Sequence, residues 1–267
     1  MNCKNCEIAL NDNINFCPIC GAKVIRKRLT LKNLWHDVSL QFLNIDNKFL
    51  KTFTHLFSQP ETVINGFIEG TRKKYINVMQ YFAISLTLVG IQVFLMKTFF
   101  SDDLATTMDF MKDFEVTTGE KDNPFSSNPL GSLEDINNYQ SIIYICSVPL
   151  YTLATWLAYR ILKPVKQYNF TEHLVLNLYY NAQVIIITAV LSIFFLCFGF
   201  NYLLIAGFVS ILVYIYLLYI LKRVFNTSFW EAVAHFLLVM IMFFVIFFTI
   251  GILIAIAIFV FAIITKI

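Results

Sequence analysis

The sequence predicts an all-α polytopic membrane protein with five transmembrane helices, a small N-terminal zinc ribbon and amphipathic interfacial helices. Its composition predicts the membrane class, because 58% of the 267 residues are hydrophobic and only 14% are charged. Soluble domains carry about 45–50% apolar and about 25% charged residues. The mean hydropathy of +0.68 agrees, and four cysteines within the first 20 residues predict the metal-binding head. A water-soluble enzyme, a disordered chain and a secreted disulfide scaffold are therefore excluded.

The charged residues are unevenly distributed and suggest the domain boundaries. Residues 1–75 hold 17 of the 37 charged groups and residues 101–138 hold 11, which leaves nine for the other 154 residues. We predict a zinc ribbon at 1–22, a basic linker with amphipathic cytoplasmic helices at 23–75, and a five-helix membrane domain at 76–267. The 101–138 segment is predicted to be an acidic extracytoplasmic loop. A net charge of +3 is too small to indicate a nucleic-acid partner.

The N-terminal segment contains two Cys-x2-Cys pairs separated by ten residues. Four thiolates at this spacing are typical of a structural Zn²⁺ site, which is closed and has no open coordination position. Gly21 permits the tight turn after the last cysteine. A dithiol redox pair or two disulfides fit less well, because no βαβ pattern surrounds the pairs and the predicted topology places them in the reducing cytoplasm. We expect one structural zinc ion with the ligands Cys3, Cys6, Cys17 and Cys20.

The segment between the ribbon and the first span combines a basic linker with two helical patterns. The linker at 23–28 could attract nucleic acid or anionic lipid, and the adjacent membrane favours lipid. Apolar residues within 31–42 and 49–57 recur at helical spacing, with polar residues on the other face. These helices are predicted either to lie on the inner membrane surface or to pack on the spans as a cytoplasmic collar. His36 and His55 are interpreted as surface or interface histidines.

A further short helix is predicted to precede the first span. Ser58 is expected to cap it, with Glu61 reaching back at the third position, and Gly70 is expected to end it. A basic triplet and a tyrosine follow, which together predict an interfacial anchor on the cytoplasmic side. The anchor residues are Arg72, Lys73, Lys74 and Tyr75.

The order of these features resembles a bacterial zinc-ribbon-headed inner-membrane family that is classed as a domain of unknown function. The resemblance covers roughly residues 1–100, and many relatives have proline where this chain has Val78. It implies a membrane location and a bound metal, and it supplies no activity. The residues that carry it, after the two cysteine pairs, are Pro60, Gly70, Arg72, Lys73, Tyr75 and Asn77.

Five apolar stretches are long enough to span a bilayer, which takes about 20 residues. The third and fourth are separated by a turn at Gly199-Phe200-Asn201. Splitting the last stretch near Gly251 would give six spans, and this alternative is disfavoured. The predicted spans are Ile76–Met96, Tyr139–Tyr159, Gln183–Phe198, Tyr202–Leu221 and Phe236–Thr265.

Lysine and arginine near the span ends predict the orientation. The triplet at 72–74, the basic residues at 160–166 and the pair at 222–223 lie on one side of the predicted topology, which the positive-inside rule makes cytoplasmic. The N-terminus is then cytoplasmic and the C-terminus outside, in a bacterial inner membrane. No signal peptide is predicted, because the first 15 residues lack a hydrophobic stretch.

Two similar capping motifs occur in the membrane half. Asn169-Phe170-Thr171-Glu172 precedes the third span and Ser228-Phe229-Trp230-Glu231 precedes the fifth, each after a basic turn. The pattern predicts two copies of span, basic turn, capped helix and span, with chance or plain capping chemistry as the alternative. This arrangement is similar to the five-span membrane domain of the Yip family over roughly residues 75–267.

Several polar residues in the membrane half are candidates for function. Glu172 with His173, and Glu231 with His235, could form a proton relay or a metal pair. Capping carboxylates with interfacial histidines are the favoured interpretation, because capping accounts for both glutamates. Uncharged polar residues in the spans could line a path, or could hydrogen-bond between helices. These include Gln80, Gln92, Asn177, Asn181 and Gln183.

The chain contains none of the common catalytic motifs, such as a phosphate-binding glycine loop, GxSxG or HExxH. The leading hypothesis is therefore a non-enzymatic scaffold or docking protein that contacts the lipid bilayer and binds a protein partner through the ribbon. A small transporter or permease, with its substrate between the two hairpins, is the first alternative. A membrane enzyme that acts on lipid through the two glutamates and two histidines is the second.

Overall fold

The structure is a computed structural model that describes residues 2–3, 5–11, 14–21, 24, 48–100, 139–162, 167–200 and 202–264. The chain divides into an N-terminal unit, Met1–Asn47, and a membrane unit, Lys48–Ile267. The predicted helix at 31–42 with His36, most of the basic linker, and the acidic loop at 101–138 lie outside the described residues.

The described residues of the membrane unit form seven helices and no strand. Five of these, α3 to α7, are long and apolar enough to cross a membrane, which indicates a multi-pass membrane protein. The all-α prediction is thus confirmed for this part of the chain. The helices are α1 (residues 48–58), α2 (Pro60–Ile68), α3 (Val78–Phe99), α4 (Gln140–Leu162), α5 (Phe170–Cys197), α6 (Tyr202–Phe225) and α7 (Phe229–Ile264).

The third and fifth spanning helices begin earlier than predicted. Each capped helix continues into its span without a break, so α5 starts at Phe170 and α7 at Phe229. Helix α7 also passes through Gly251 without interruption, which excludes the six-span alternative. At 1.5 Å per residue its 36 residues extend about 54 Å, well beyond the roughly 30 Å of a hydrocarbon core.

Helix α5 forms the centre of the membrane unit and α7 its periphery. Within the most apolar window of each helix, 56% of α5 residues are buried but only 6% of α7 residues. The buried residues of α5 include Asn177, Asn181 and Gln183, whose side-chain amides form hydrogen bonds inside the bundle. Burial of polar side chains thus distinguishes the central helix from the more uniformly apolar outer one.

One end of the membrane unit, called the basic end below, carries Arg72–Lys74, Arg160 and Lys222–Arg223. There the Arg223 guanidinium forms a bidentate ion pair with Glu61 of α2, with 2.6 Å between Nη2 and Oε1. The Asn65 amide donates to the Val224 carbonyl at 3.3 Å, and Asn65 Oδ1 accepts from the Tyr168 hydroxyl. These contacts join α2 to the ends of two spanning helices.

The opposite end, called the loop end, contains the predicted turn between α5 and α6. Gly199 has φ +73°, and the Phe200 N–H donates to the Phe195 carbonyl at 3.2 Å. This pattern is a helix-terminating Schellman-type motif, which requires the left-handed conformation that glycine adopts readily. An apolar cluster adjoins the turn and consists of Met96, Leu196, Ile205 and Val209.

Helices α1 and α2 pack against the spans, so of the two predicted positions for residues 49–57 the structure shows the collar. Leu56, Val63 and Ile64 are fully buried. The hydroxyl of Tyr216 donates to the Leu56 carbonyl at 3.1 Å, and that of Tyr219 donates to a second carbonyl in the last turn of α1, at 3.2 Å. Tyrosines of α6 therefore satisfy carbonyl groups that a helix C-terminus leaves without an intrahelical partner.

The predicted cap of α2 is wrong, whereas its predicted end is confirmed. The Ser58 hydroxyl belongs to the last turn of α1 and donates to the Thr54 carbonyl at 3.1 Å. Helix α2 begins one residue later, with Gln59 at the N-cap and Pro60 in its first turn, where a missing N–H costs no hydrogen bond. Gly70, with φ +102°, follows its C-terminus.

Candidate metal centre and polar clusters of the membrane unit

The four N-terminal cysteines lie together in the N-terminal unit. Their Sγ atoms are all within 4.8 Å of one another and form a group that could hold a metal ion. The Sγ atoms of Cys3 and Cys20 are 3.6 Å apart, as are those of Cys6 and Cys17. None of the four forms a disulfide.

Both Cys-x2-Cys turns have the same backbone geometry. The Glu7 N–H donates to the Cys3 carbonyl at 2.8 Å, and the Gly21 N–H donates to the Cys17 carbonyl at 2.9 Å. Glu7 and Gly21 have φ values of +60° and +69°, so each turn closes on a left-handed residue four positions after its first cysteine. The sequence indicates only the second of these positions, because only there is the residue a glycine.

The local electrostatics differ between the two cysteines of the first turn. Backbone N–H groups of Asn5 and Cys6 lower the pKa of the Cys3 thiol and thus favour the thiolate. The Ile8 N–H lowers the pKa of the Cys6 thiol. Neighbouring thiols, led by Cys20, outweigh this and raise that pKa to about 12. A cation at the centre of the four cysteines would lower the pKa of Cys6 instead, because a thiol that coordinates a metal ion is deprotonated.

The cluster fits a tetrahedral metal ion. Four metal–sulfur bonds of about 2.3 Å place the sulfur atoms about 3.8 Å apart, close to the 3.6 Å of the two measured pairs. Cys3, Cys6, Cys17 and Cys20 would complete the coordination shell of such an ion. A closed shell leaves no position for a reacting water, so the ion would contribute folding energy.

The two glutamates of the repeated motif cap helices. Asn169 Oδ1 accepts from the Glu172 N–H at 2.9 Å, and the Glu172 carboxylate accepts from the Asn169 N–H at 2.7 Å. The second motif makes the same pair of bonds, with 3.4 Å for the Ser228 hydroxyl and 2.9 Å for the Glu231 carboxylate. The capping that the sequence predicts is therefore present at α5 and α7.

We expect Asn169→Ala to destabilise the membrane unit by about 0.5–2 kcal/mol, because it leaves the Glu172 N–H without its acceptor. Ser228→Ala should cost less, since that hydroxyl makes a longer bond of 3.4 Å. The measurement is the midpoint of SDS-induced unfolding of the two purified variants. A larger loss for Ser228→Ala than for Asn169→Ala would contradict the expected order.

The two histidines of the motif are buried among aromatic side chains of the membrane unit, whereas their interfacial position stays a prediction. His173 is 1% exposed and His235 is 5% exposed. Both contact the ring of Tyr159, with centroid separations of 5.6 and 4.3 Å, and Phe225 stacks on that ring at 3.9 Å. Each histidine lies on the inward face of its helix. A position close to a helix cap does not indicate which face of the helix is buried.

Several polar atoms of this histidine–tyrosine cluster have no hydrogen-bond partner in the described part of the chain. They are both ring nitrogens of His173, Nε2 of His235 and the hydroxyl of Tyr159. His235 Nδ1 lies 2.7 Å from the Glu231 carbonyl oxygen, so Nδ1 is the donor of this hydrogen bond. Tyr159 and Tyr168 also line a cavity of about 620 Å³ at the basic end.

The predicted interfacial anchor divides into exposed and buried parts. Arg72, Lys73 and Lys74 are exposed, and the Arg72 guanidinium lies 3.8 Å from the centroid of the Phe67 ring. Tyr75, in contrast, is buried, and its hydroxyl lies 2.9 Å from His55 Nδ1. The tyrosine thus belongs to the contact between α1 and α3.

Gln183, which the sequence marks as a candidate for hydrogen bonding between helices, joins the collar to the spans, but the sequence did not identify its partners. This side chain is fully buried; it accepts a hydrogen bond from the Tyr81 hydroxyl and donates to the Phe53 carbonyl at 3.2 Å. Tyr179 of α5 donates to the Ile76 carbonyl, two residues before α3, at 2.8 Å. A glutamine within an apolar stretch indicates a hydrogen-bonding role. The partners of Gln183 lie 102 to 130 positions away in the sequence, so the sequence pattern does not identify them.

A second cavity, of about 360 Å³, lies among all five spanning helices and is called the tyrosine cavity below. Its lining includes Gln92 of α3, Tyr144 of α4, Asn181 of α5, Tyr202 of α6 and Met240 of α7. Two of the polar residues recognised in the sequence, Gln92 and Asn181, therefore line a space between helices.

The comparisons with known proteins give one match. A family model described as a protein of unknown function (DUF3667) matches residues 46–90, which include α1, α2 and the first half of α3. No curated protein and no solved structure matches the chain. The matched segment contains the collar and its contacts with the spans. This match and the five apolar helices fit a membrane protein family of unknown function.

Proposed function

We propose that this protein is a non-enzymatic scaffold or docking protein of the membrane, whose N-terminal unit binds a protein partner. One observation carries the proposal: a closed four-cysteine cluster supports two apolar side chains that are left exposed. Phe16 is 61% and Ile19 is 67% exposed, and Ile19 lies between the two cysteines of the second turn. Apolar side chains held in one place by a metal are suited to contact a partner.

The proposed metal is one structural zinc ion in a zinc ribbon, in keeping with the resemblance stated above. Four thiolates favour zinc among the common divalent ions. The absence of a catalytic role is part of the proposal, because Glu172 and Glu231 already bind backbone N–H groups as caps. The likeness of the membrane half to the Yip family stays a prediction.

A photocrosslinking experiment in intact cells tests the docking role. With p-benzoylphenylalanine in place of Ile19, we expect a crosslink to a discrete protein that disappears when Cys17→Ser is added. The same group in place of Asn11, which is also exposed, should crosslink that protein weakly. Equal crosslinking from both positions, or a crosslink that survives Cys17→Ser, would refute docking through this surface.

We also propose a bacterial inner membrane as the location, with the N-terminus cytoplasmic and the C-terminus outside. The support is the position of Arg72–Lys74, Arg160 and Lys222–Arg223 at the same end of the spans. Alkaline phosphatase fused after Ile267 should be active in bacteria, whereas the same enzyme fused after Asn226 should be inactive. The opposite pattern would invert the topology.

A small transporter or permease is a second candidate function, with an unknown substrate. The tyrosine cavity favours it, because transporters bind their substrates in spaces between spanning helices, and this cavity is lined by all five of them. Solute flux into proteoliposomes, compared with protein-free liposomes, distinguishes this candidate from docking.

A further inference from the structure

The tyrosine cavity has a mixed lining, in which polar side chains such as Thr188 alternate with apolar ones such as Val184 and Leu217. Tyr180 and Ser192 line it from α5, twelve residues and therefore about 18 Å apart along the helix axis. It thus extends from near the loop end into the middle of the membrane unit. Its volume of about 360 Å³ falls in the range of small-molecule sites, which begins at about 300 Å³.

Among the described residues, the lining contains no charged residue and no histidine. An ion placed there would lose hydration without gaining a counter-charge from these residues. The cavity is therefore suited to an uncharged molecule. Five tyrosines belong to the lining: Tyr144, Tyr151, Tyr180, Tyr202 and Tyr214.

The lining offers both donors and acceptors of hydrogen bonds. The hydroxyls of Ser147, Thr188 and Ser210 donate to carbonyls of their own helices at 2.8–3.0 Å, which leaves their lone pairs as acceptors. Gln140 Oε1 has no partner in the described residues. Tyrosine hydroxyls such as that of Tyr151 supply donors.

This mixture of donors and acceptors discriminates among uncharged ligands. A quinone carries only acceptors, so it could accept from the tyrosine hydroxyls but could donate nothing to the lone pairs of Ser147, Thr188 and Ser210. A hydroxyl group is donor and acceptor at once, so it matches either kind of lining atom. The C–H face of a sugar ring can in addition pack against tyrosine rings.

We propose that the tyrosine cavity binds a small, uncharged, polyhydroxylated molecule of about the size of a hexose. The inference extends the second candidate function, since it names a ligand class for the same cavity. It concerns binding alone: binding without flux would contradict transport and leave this inference intact.

Saturation-transfer-difference NMR with the full chain in lipid nanodiscs tests the proposal. The probes are D-glucose, myo-inositol and glycerol, with acetate, choline and a short-chain quinone as comparison probes. We expect a signal above that of protein-free nanodiscs from at least one polyol, and none from the comparison probes. No signal from any polyol, or equal signals from acetate, choline or the quinone, would overturn the proposal.

A matched pair of variants locates the binding. Thr188 lines the cavity, whereas Thr87 is exposed on α3, and both hydroxyls donate to carbonyls of their own helices. Thr188→Leu should weaken polyol binding roughly tenfold, the loss of about one good hydrogen bond, and Thr87→Leu should leave it unchanged.

Gln140→Leu serves as a second cavity variant in case Thr188→Leu fails to fold, as judged by its SDS-unfolding midpoint. Equal polyol binding by the cavity variants and Thr87→Leu would place the binding elsewhere and refute the assignment.

Discussion

Replacing Cys17 with serine is expected to reduce the zinc bound per chain from about one atom to near zero, because a structural site needs four ligands. The N-terminal unit should then unfold. Its described core consists of only Cys3, Leu10 and Cys17, with Ile14 and Val24 packed against them. A core of this size is too small to hold a fold without metal.

Elemental analysis of the purified full chain measures this effect. Cys197→Ser is the matched control, because Cys197 is a free, exposed cysteine at the end of α5. The control should retain about one zinc per chain. If Cys17→Ser also retains one zinc per chain, the four-thiolate assignment is wrong. If the unaltered chain contains a different metal, only the identification of the metal as zinc is wrong.

Replacing Gln183 with leucine is expected to destabilise the membrane unit by about 1–3 kcal/mol, the cost of leaving buried polar groups unpaired. Leucine has a similar volume but can neither accept from the Tyr81 hydroxyl nor donate to the Phe53 carbonyl. The midpoint of SDS-induced unfolding should fall accordingly, and proteolysis should reach α1 sooner.

The same substitution at an exposed site provides the control. Gln80 is exposed on α3, so Gln80→Leu should leave the unfolding midpoint nearly unchanged. Equal losses for Gln80→Leu and Gln183→Leu would show that the link between collar and spans does not stabilise the protein.

The spans could be predicted because the bilayer imposes one simple requirement, about 20 apolar residues in a helix. The prediction was least accurate where α5 and α7 begin, since Asn169 and Ser228 start helices in polar sequence that then run on into the membrane. The turn after α5 was predicted correctly because Gly199 supplies a conformation that few other residues adopt.

The cysteine cluster was likewise accessible from spacing alone, because each pair brings its two sulfur atoms together through a local turn. The burial of the two histidines could not be predicted from the sequence. His173 and His235 lie in long apolar helices, where the neighbours on every face are hydrophobic and the pattern does not reveal which face is inside. Their shared contact with Tyr159 depends on how three helices pack.

The sequence by itself determined the membrane class, the number of spans, the caps of α5 and α7 and the grouping of the four cysteines, because each depends on composition or on residues close together in the chain. Only the tertiary structure decided which helix is central, that residues 48–58 form a collar, and that Gln92, Asn181 and five tyrosines line one cavity. These features join residues far apart in sequence, and in a uniformly apolar chain only packing selects such partners.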